Sequence, residues 1–245
     1  VAMCGIVGAG AKPATEVVAH RGYWKAEGSA QNSVASLKKA IEIGARGSEC
    51  DVYITTDGVV VVHHDPTIDG KRIDESTYAA LKDCKLSNGE AIPTLDELLA
   101  IARKQKHTKL IIEIKSHNTQ EKEAAAVDAV LKLVKKNKMD KLVEYISFSQ
   151  NVCERLIALS PKAKVAYLGS DLTPKQLSDK GYTGLDYHIG AMRAHEEWFD
   201  EAKQLGLEVN VWTVDDEPNM KWLIGKGVTY ITTDEPVMLQ KLLAE

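Results

Sequence analysis

The sequence predicts a closed (β/α)₈ barrel, a TIM barrel, with a small insertion after its second strand. Short β-rich apolar runs alternate with helical stretches along the whole chain, which is the pattern of βα units and a parallel sheet. Eight such runs can be counted, a number that favours a closed ring over an open doubly wound sheet. The cleanest of them, Leu110-Ile111-Ile112, is apolar without alternation, as a strand covered on both faces should be. With 245 residues, 44% of them hydrophobic, the chain can bury one large core. No linker or low-complexity tract divides it, so residues 1–245 read as one domain.

Strands are expected at Glu16 to His20, Gly47 to Ile54, Lys109 to Lys115, Leu142 to Ser147, Lys164 to Leu168, Gly184 to Tyr187, Glu208 to Thr213 and Thr229 to Thr232. The helices between them show apolar stripes, such as Val34, Leu37 and Ile41, or Val127, Val130, Leu131 and Val134. One interval breaks the rhythm. Val59 to Val62 adds a further strand-like run, and the next helix begins only near Thr94. The segment Asp65 to Pro93, about residues 65–93, has turn signals at Asp69-Gly70 and Asn88-Gly89 and a helical patch around Tyr78 to Leu81. It is therefore expected to form a small lobe above the barrel mouth.

Active sites of such barrels lie at the C-terminal ends of the strands, so polar residues where an apolar run stops are the informative ones. The first strand ends in His20-Arg21-Gly22, the second carries Glu49 and Asp51, Val59 to Val62 leads into His63-His64-Asp65, and the third carries Glu113 and Lys115. Residues two apart on a strand share a face. In many proteins two such acids are the wet face of an antiparallel sheet, and Glu113 with Lys115 could be a satisfied ion pair. The inner face of a barrel, however, is not solvated. Three carboxylates aimed at the lumen cannot all stay ionised without a cation, because burying unpaired charge is costly. A hard divalent ion with oxygen ligands, Ca²⁺ or Mg²⁺, is the simplest resolution, and zinc fits less well because acids outnumber nitrogen ligands. Arg21 and Lys115 add positive charge where a phosphate could bridge to the ion. His20 and His64 stand at the same rim and titrate near neutral pH, which suits acid–base work, although a lone histidine there is more often a core residue. Alternation lets only one of His63 and His64 face inward.

The remaining candidates have plainer readings. Asn32 is expected to cap the first helix and Asp234 the last, within Thr233-Asp234-Glu235-Pro236. Trp212 could be ordinary barrel packing or a wall for a substrate's organic group. His107, His117, His188 and His195 read as surface or packing residues. The cysteines Cys4, Cys50, Cys84 and Cys153 show no paired or metal spacing and read as core residues or free thiols. A net charge of −4 argues against a nucleic-acid surface, which needs clustered Lys and Arg. No apolar run approaches the ~20 residues that cross a bilayer, so stable membrane insertion is not expected. The small apolar opening Val1 to Ala14 fits a chain whose secretory leader has been removed, hence a periplasmic or secreted protein. A cytoplasmic protein with an artificial start fits as well.

Taken as an ordered set, His20-Arg21-Gly22, Asn32, Glu49-x-Asp51, His64-Asp65, Glu113-Ile114-Lys115, Asn210-Val211-Trp212-Thr213 and Thr233-Asp234-Glu235-Pro236 resemble the glycerophosphodiester phosphodiesterases. The match runs from about Val17 to Pro236 and includes the insertion. The resemblance implies a (β/α)₈ barrel, one divalent cation, Ca²⁺ or Mg²⁺, on Glu49, Asp51 and Glu113, and catalytic histidines at His20 and His64. It also implies phosphate contacts from Arg21 and Lys115, and a small-molecule glycerophosphodiester split into glycerol phosphate and an alcohol. His20 is assigned as base and His64 as acid, with the reverse left open, as is the choice between water and the substrate's own hydroxyl as attacker. The chain departs from the family at Gln31, where a Glu is usual, which removes a charge near the site. A phospholipase D-like lipid enzyme and a catalytically silent phosphate-binding barrel are the alternatives.

Overall fold

The computed structural model describes residues 14–245. The opening stretch read as the remnant of a removed leader, Ala14 apart, and Cys4 with it, lie outside the described residues. The strands are β1 (Glu16–Ala19), β2 (Gly47–Ile54), β3 (Val60–Val62), β4 (Thr67–Ile68), β5 (Lys71–Arg72), β6 (Lys109–Ile114), β7 (Val143–Ser147), β8 (Val165–Tyr167), β9 (Gly184–His188), β10 (Glu208–Trp212) and β11 (Tyr230–Thr233). The helices are α1 (Val34–Glu42), α2 (Tyr78–Leu81), α3 (Leu95–Ala102), α4 (Gln120–Lys136), α5 (Gln150–Leu159), α6 (Pro174–Asp179), α7 (Ile189–Ala194), α8 (Glu197–Gln204), α9 (Glu217–Lys226) and α10 (Pro236–Leu243).

Eight parallel strands close a ring in the order β1-β2-β6-β7-β8-β9-β10-β11 and back to β1, with β3 added antiparallel to the far end of β2. The expected barrel is therefore present. Strand parity divides its side chains. Val18, Ile111, Ile146, Ala166, Leu168 and Tyr230 fill the lumen, while the alternate residues, such as Val52, Ile112, Tyr145 and Val211, pack outward with the helices. Ion pairs close the N-terminal end of the ring, with Lys109 Nζ 2.5 Å from Glu144 Oε1 and Lys164 Nζ 2.5 Å from Glu208 Oε1. The groups left open to a ligand are those at the C-terminal end.

Helix starts follow the sequence chemistry. Ser33 and Ser36 form a capping box that turns the chain into α1, and Thr173 and Gln176 do the same for α6, where Pro174 fills the first turn. The segment between Asp65 and Pro93 forms the β4–β5 hairpin, a 3₁₀ turn at Ile73–Glu75 and α2. Its Ile68, Ile73, Leu81, Cys84 and Ile92 pack on Tyr53 and Val61 of the β2–β3 extension, giving the insertion a small core of its own. Cys50, Cys84 and Cys153 are buried free thiols. Four strands, β1, β6, β8 and β10, stop one residue short of expectation. His20 and Lys115 lie just past β1 and β6, although their backbone N–H groups still reach Thr233 O at 2.9 Å and Val52 O at 3.2 Å.

Candidate active site

Parallel pairing of β2 with β6 sets Asp51 in register with Glu113, and Glu49 lies one layer below Asp51 on the same face. All three acids are buried, and one carboxylate oxygen from each lies within 4.8 Å of the others. Glu49 Oε1 and Asp51 Oδ1 are buried without a hydrogen-bond partner. Burial, then the Asp51 and Glu113 carboxylates, push Glu49 well above the ordinary carboxylate range, and burial and Asp51 push Glu113 up in the same way. Burial also raises Asp51, but its bond with Glu113, the Lys115 charge and the Asn32 amide outweigh it and hold this acid low. Unmet oxygens and carboxyls that resist ionisation are what a cage for a cation shows when only protein atoms occupy it. The residues fit a divalent ion with oxygen ligands.

Two cations adjoin the acids. Lys115 Nζ lies 3.0 Å from Glu113 Oε1 and 3.7 Å from Asp51 Oδ1, and these carboxylates outweigh burial to keep the ammonium above the usual lysine range. Arg21 Nε lies 3.9 Å from Asp51 Oδ2. Three acids and two bases leave one negative charge. Adding a divalent ion and a singly charged phosphodiester brings the sum to zero, so the set is electrically matched to that pair of guests.

The loop between β1 and α1 is built on strained backbone. Arg21 and Asn32 both have φ of 56°, a left-handed conformation that non-glycine residues seldom adopt outside functional sites. Asn32 N–H donates to Arg21 O at 3.0 Å, which locks the two together. Gly22, with φ of 75°, lies so close to α1 that a Cβ would fall 2.2 Å from Ser36 Oγ. This geometry aims Arg21 N–H at Glu49 Oε2 (2.9 Å) and lets the Arg21 guanidinium donate to Gln31 Oε1 (2.6 Å). It also corrects the reading of Asn32 as a helix cap. Ser33 caps α1, while the left-handed turn swings Asn32 inward, where Nδ2 donates to Asp51 Oδ2 at 2.9 Å and Oδ1 accepts from Asp51 N–H at 3.1 Å.

The two histidines each have a carboxylate behind them. His20 Nδ1 is 2.8 Å from Asp234 Oδ1, and His64 Nδ1 is 2.7 Å from Asp65 Oδ1. Burial pushes Asp234 up, but the bonds from His20 and Trp24 outweigh it and hold it low; the bond with His64 holds Asp65 low. An ionised carboxylate can only accept, so each Nδ1 is a donor and Nε2 is the nitrogen left for proton transfer. Asp234 is thus corrected too. It accepts from His20 and, at 2.7 Å, from Trp24 Nε1, whereas α10 starts from Glu235 with no side-chain cap and Pro236 in its first turn. Ring closure was the signal that could have found it. Ala19 pairs with Thr233, so the residue after the last strand must stand beside the residue after the first.

His20, Arg21, His64, Glu113, Lys115 and Trp212 line one pocket of about 110 Å³ at the barrel mouth. Trp212 forms a wall there, its indole N–H donating to Asp186 O at 2.8 Å and its ring set edge-on to Phe148 at 5.8 Å. His63 faces away and lines a wider groove of about 730 Å³ with Trp24, Lys25, Gln31, Lys85 and Leu86, between the β1–α1 loop and the inserted lobe. His117 ties β2 to β6, accepting from Ile54 N–H at 3.0 Å with Nδ1 2.8 Å from Lys115 O, and His188 accepts from Gly190 N–H at the start of α7. His107 and His195 are also engaged locally, with Gly44 O and Glu197.

The family model described as the glycerophosphoryl diester phosphodiesterase family matches residues 20–238. The chain belongs to this family. A glycerophosphodiester phosphodiesterase from Parabacteroides distasonis, known from its crystal structure, is 50% identical, with a TM-score of 0.94 over 96% of this chain and 98% of that one. A family protein from Galdieria sulphuraria is 27% identical, with a TM-score of 0.85 over 94% of this chain and 98% of that one. A curated member from Caldanaerobacter subterraneus is 29% identical over 94% of this chain and 98% of its own length. Family membership and the barrel mouth described above span the same residues.

Proposed function

We propose that the chain hydrolyses glycerophosphodiesters to glycerol phosphate and an alcohol, with Glu49, Asp51 and Glu113 holding a Ca²⁺ or Mg²⁺ ion and His20 and His64 moving protons. The observation that carries this reading is the convergence, in a family barrel, of a buried three-carboxylate cage with two carboxylate-backed histidines and two fixed cations. When bound, the ion supplies Lewis-acid stabilisation of charge on the phosphoryl oxygens. Arg21 and Lys115 bind the same oxygens and gain strength as charge develops there. His20 takes the proton of the attacking oxygen at Nε2, with the imidazolium stabilised by Asp234 below it. His64, nearer solvent and backed by Asp65, donates a proton to the departing alkoxide.

The test is release of glycerol phosphate from glycerophosphocholine in EDTA and after adding back Ca²⁺ or Mg²⁺. Turnover is expected only with the ion, and should fall by about 10²- to 10⁴-fold in His20→Ala and His64→Ala. Turnover indifferent to the chelator, or to both substitutions, overturns the mechanism. Binding of substrate with no turnover under any condition would make the chain a silent phosphate-binding barrel. Phosphorus NMR of the first product separates attack by water from attack by the glycerol hydroxyl through a cyclic phosphate.

A further inference from the structure

Two lumen side chains take no part in this mechanism. Asp186 on β9 stands across the ring from Glu49 on β2, with three strands between them on either side. It is 3% exposed, and its Oδ1 has no hydrogen-bond partner. Asn210, its register partner on β10, is 6% exposed and has an equally unpartnered Oδ1. Leaving one buried acceptor unmet is costly, and two side by side mark a place shaped for a donor that arrives from outside.

Asp186 lines the pocket at the barrel mouth together with Ile146, Phe148, Leu168 and Trp212. The pocket, about 110 Å³, is small beside the groove of about 730 Å³, which suits a three-carbon fragment better than a bulky head group. Its walls are apolar and its floor offers oxygen acceptors. The one indole donor, Trp212 Nε1, is already spent on Asp186 O. The guest this describes has C–H faces and hydroxyl donors. A permanent cation is disfavoured, because burial first and then Glu144 raise Asp186 to about 7, so that near neutral pH a large fraction of it is uncharged. A hydroxyl, which both gives and takes a hydrogen bond, suits either form.

Resting on the reading of the site as a glycerophosphodiesterase, we propose that Asp186, with Asn210 beside it, is a specificity-determining residue that receives the hydroxyls of the glycerol moiety. The head group then faces the wide groove beside Trp24 and Lys85.

Calorimetric titration of sn-glycerol 3-phosphate and of inorganic phosphate into the Ca²⁺-loaded protein, with thermal melts as a check on folding, separates the parts. Asp186→Leu should weaken glycerol phosphate by about tenfold or more and leave phosphate within about twofold. Asp186→Asn, which keeps an acceptor oxygen, should recover most of that loss, and Asn210→Leu should repeat the pattern more weakly. Equal loss for both ligands, or no loss for either, overturns the proposal; if Asp186→Leu does not fold, the same comparison is read from Asn210→Leu. Wild-type protein that binds phosphate but not glycerol phosphate also overturns it. Wild-type protein that binds neither ligand overturns the functional reading, a distinct outcome.

Discussion

At the scale of single residues the site is a balance of charges held against their preference. Glu49 and Glu113 titrate above their ordinary range because burial, and then the Asp51 carboxylate between them, disfavour the anion. Between the unfolded and folded values the native state binds more protons than the unfolded one, so stability in EDTA should fall as pH rises from about 4.3 through the raised values. Urea midpoints across that range should show the decline, and saturating Ca²⁺ should flatten it. Glu49→Gln removes one member of the repelling set. Its midpoint in EDTA should exceed that of the wild type at neutral pH, while its ion-dependent turnover disappears. Asp234 acts through another group. Asp234→Asn can no longer favour the Nδ1–H form or steady the imidazolium, so kcat should fall by about 100-fold with little change in KM. If KM rises and kcat holds, Asp234 serves binding and the pairing with His20 is incidental.

At the scale of elements, the β1–α1 loop sets the geometry of both the cage and the phosphate grip. Its left-handed Arg21 and Asn32 are tolerable because Gly22 lets the chain run against Ser36. Gly22→Ala adds the left-handed penalty to an overlap with α1 and should cost about 2–5 kcal/mol by urea unfolding. A cost below ~1 kcal/mol would mean that the loop relaxes freely and that its strain is not structural. Such strain was illegible in the sequence. Asn32 and Asp234 have the composition of helix caps, and local chemistry favoured that reading; what displaced it was a tertiary demand, two buried hydrogen bonds to Asp51 in one case and an imidazole in the other. Strand parity was legible, because a period of two in a closed ring leaves no alternative face for Glu49, Asp51 and Glu113. The pairing of β2 with β6 then brought together residues more than sixty positions apart, which periodicity alone cannot place.

At the scale of the whole molecule, the alternation of runs was enough to give the barrel, since eight βα units have few ways to cover both faces of their strands. The lobe between Asp65 and Pro93 was legible as an interruption but not in its attachment. Asn88 Nδ2 donates to Gly28 O at 3.1 Å, and Glu90 Oε2 accepts from Ala35 N–H at 3.3 Å, so the lobe braces the loop that carries Arg21 and the first turn of α1 that follows it. Asn88→Ala should therefore raise KM more than it lowers kcat, with a stability change of about 1 kcal/mol or less. Steady-state kinetics beside a thermal melt would check this.

The seam between β1 and β11 has a consequence for how activity arises in time. His20 and Asp234 are 214 residues apart, and Lys25 meets Glu235 beside them. A nascent or truncated chain that lacks Tyr230–Thr233 has no neighbour for one side of β1 and no carboxylate for His20. No intermediate length is a weaker version of the catalyst. In refolding experiments the return of turnover should coincide with the last structural phase, which makes hydrolysis itself a reporter that the ring has shut.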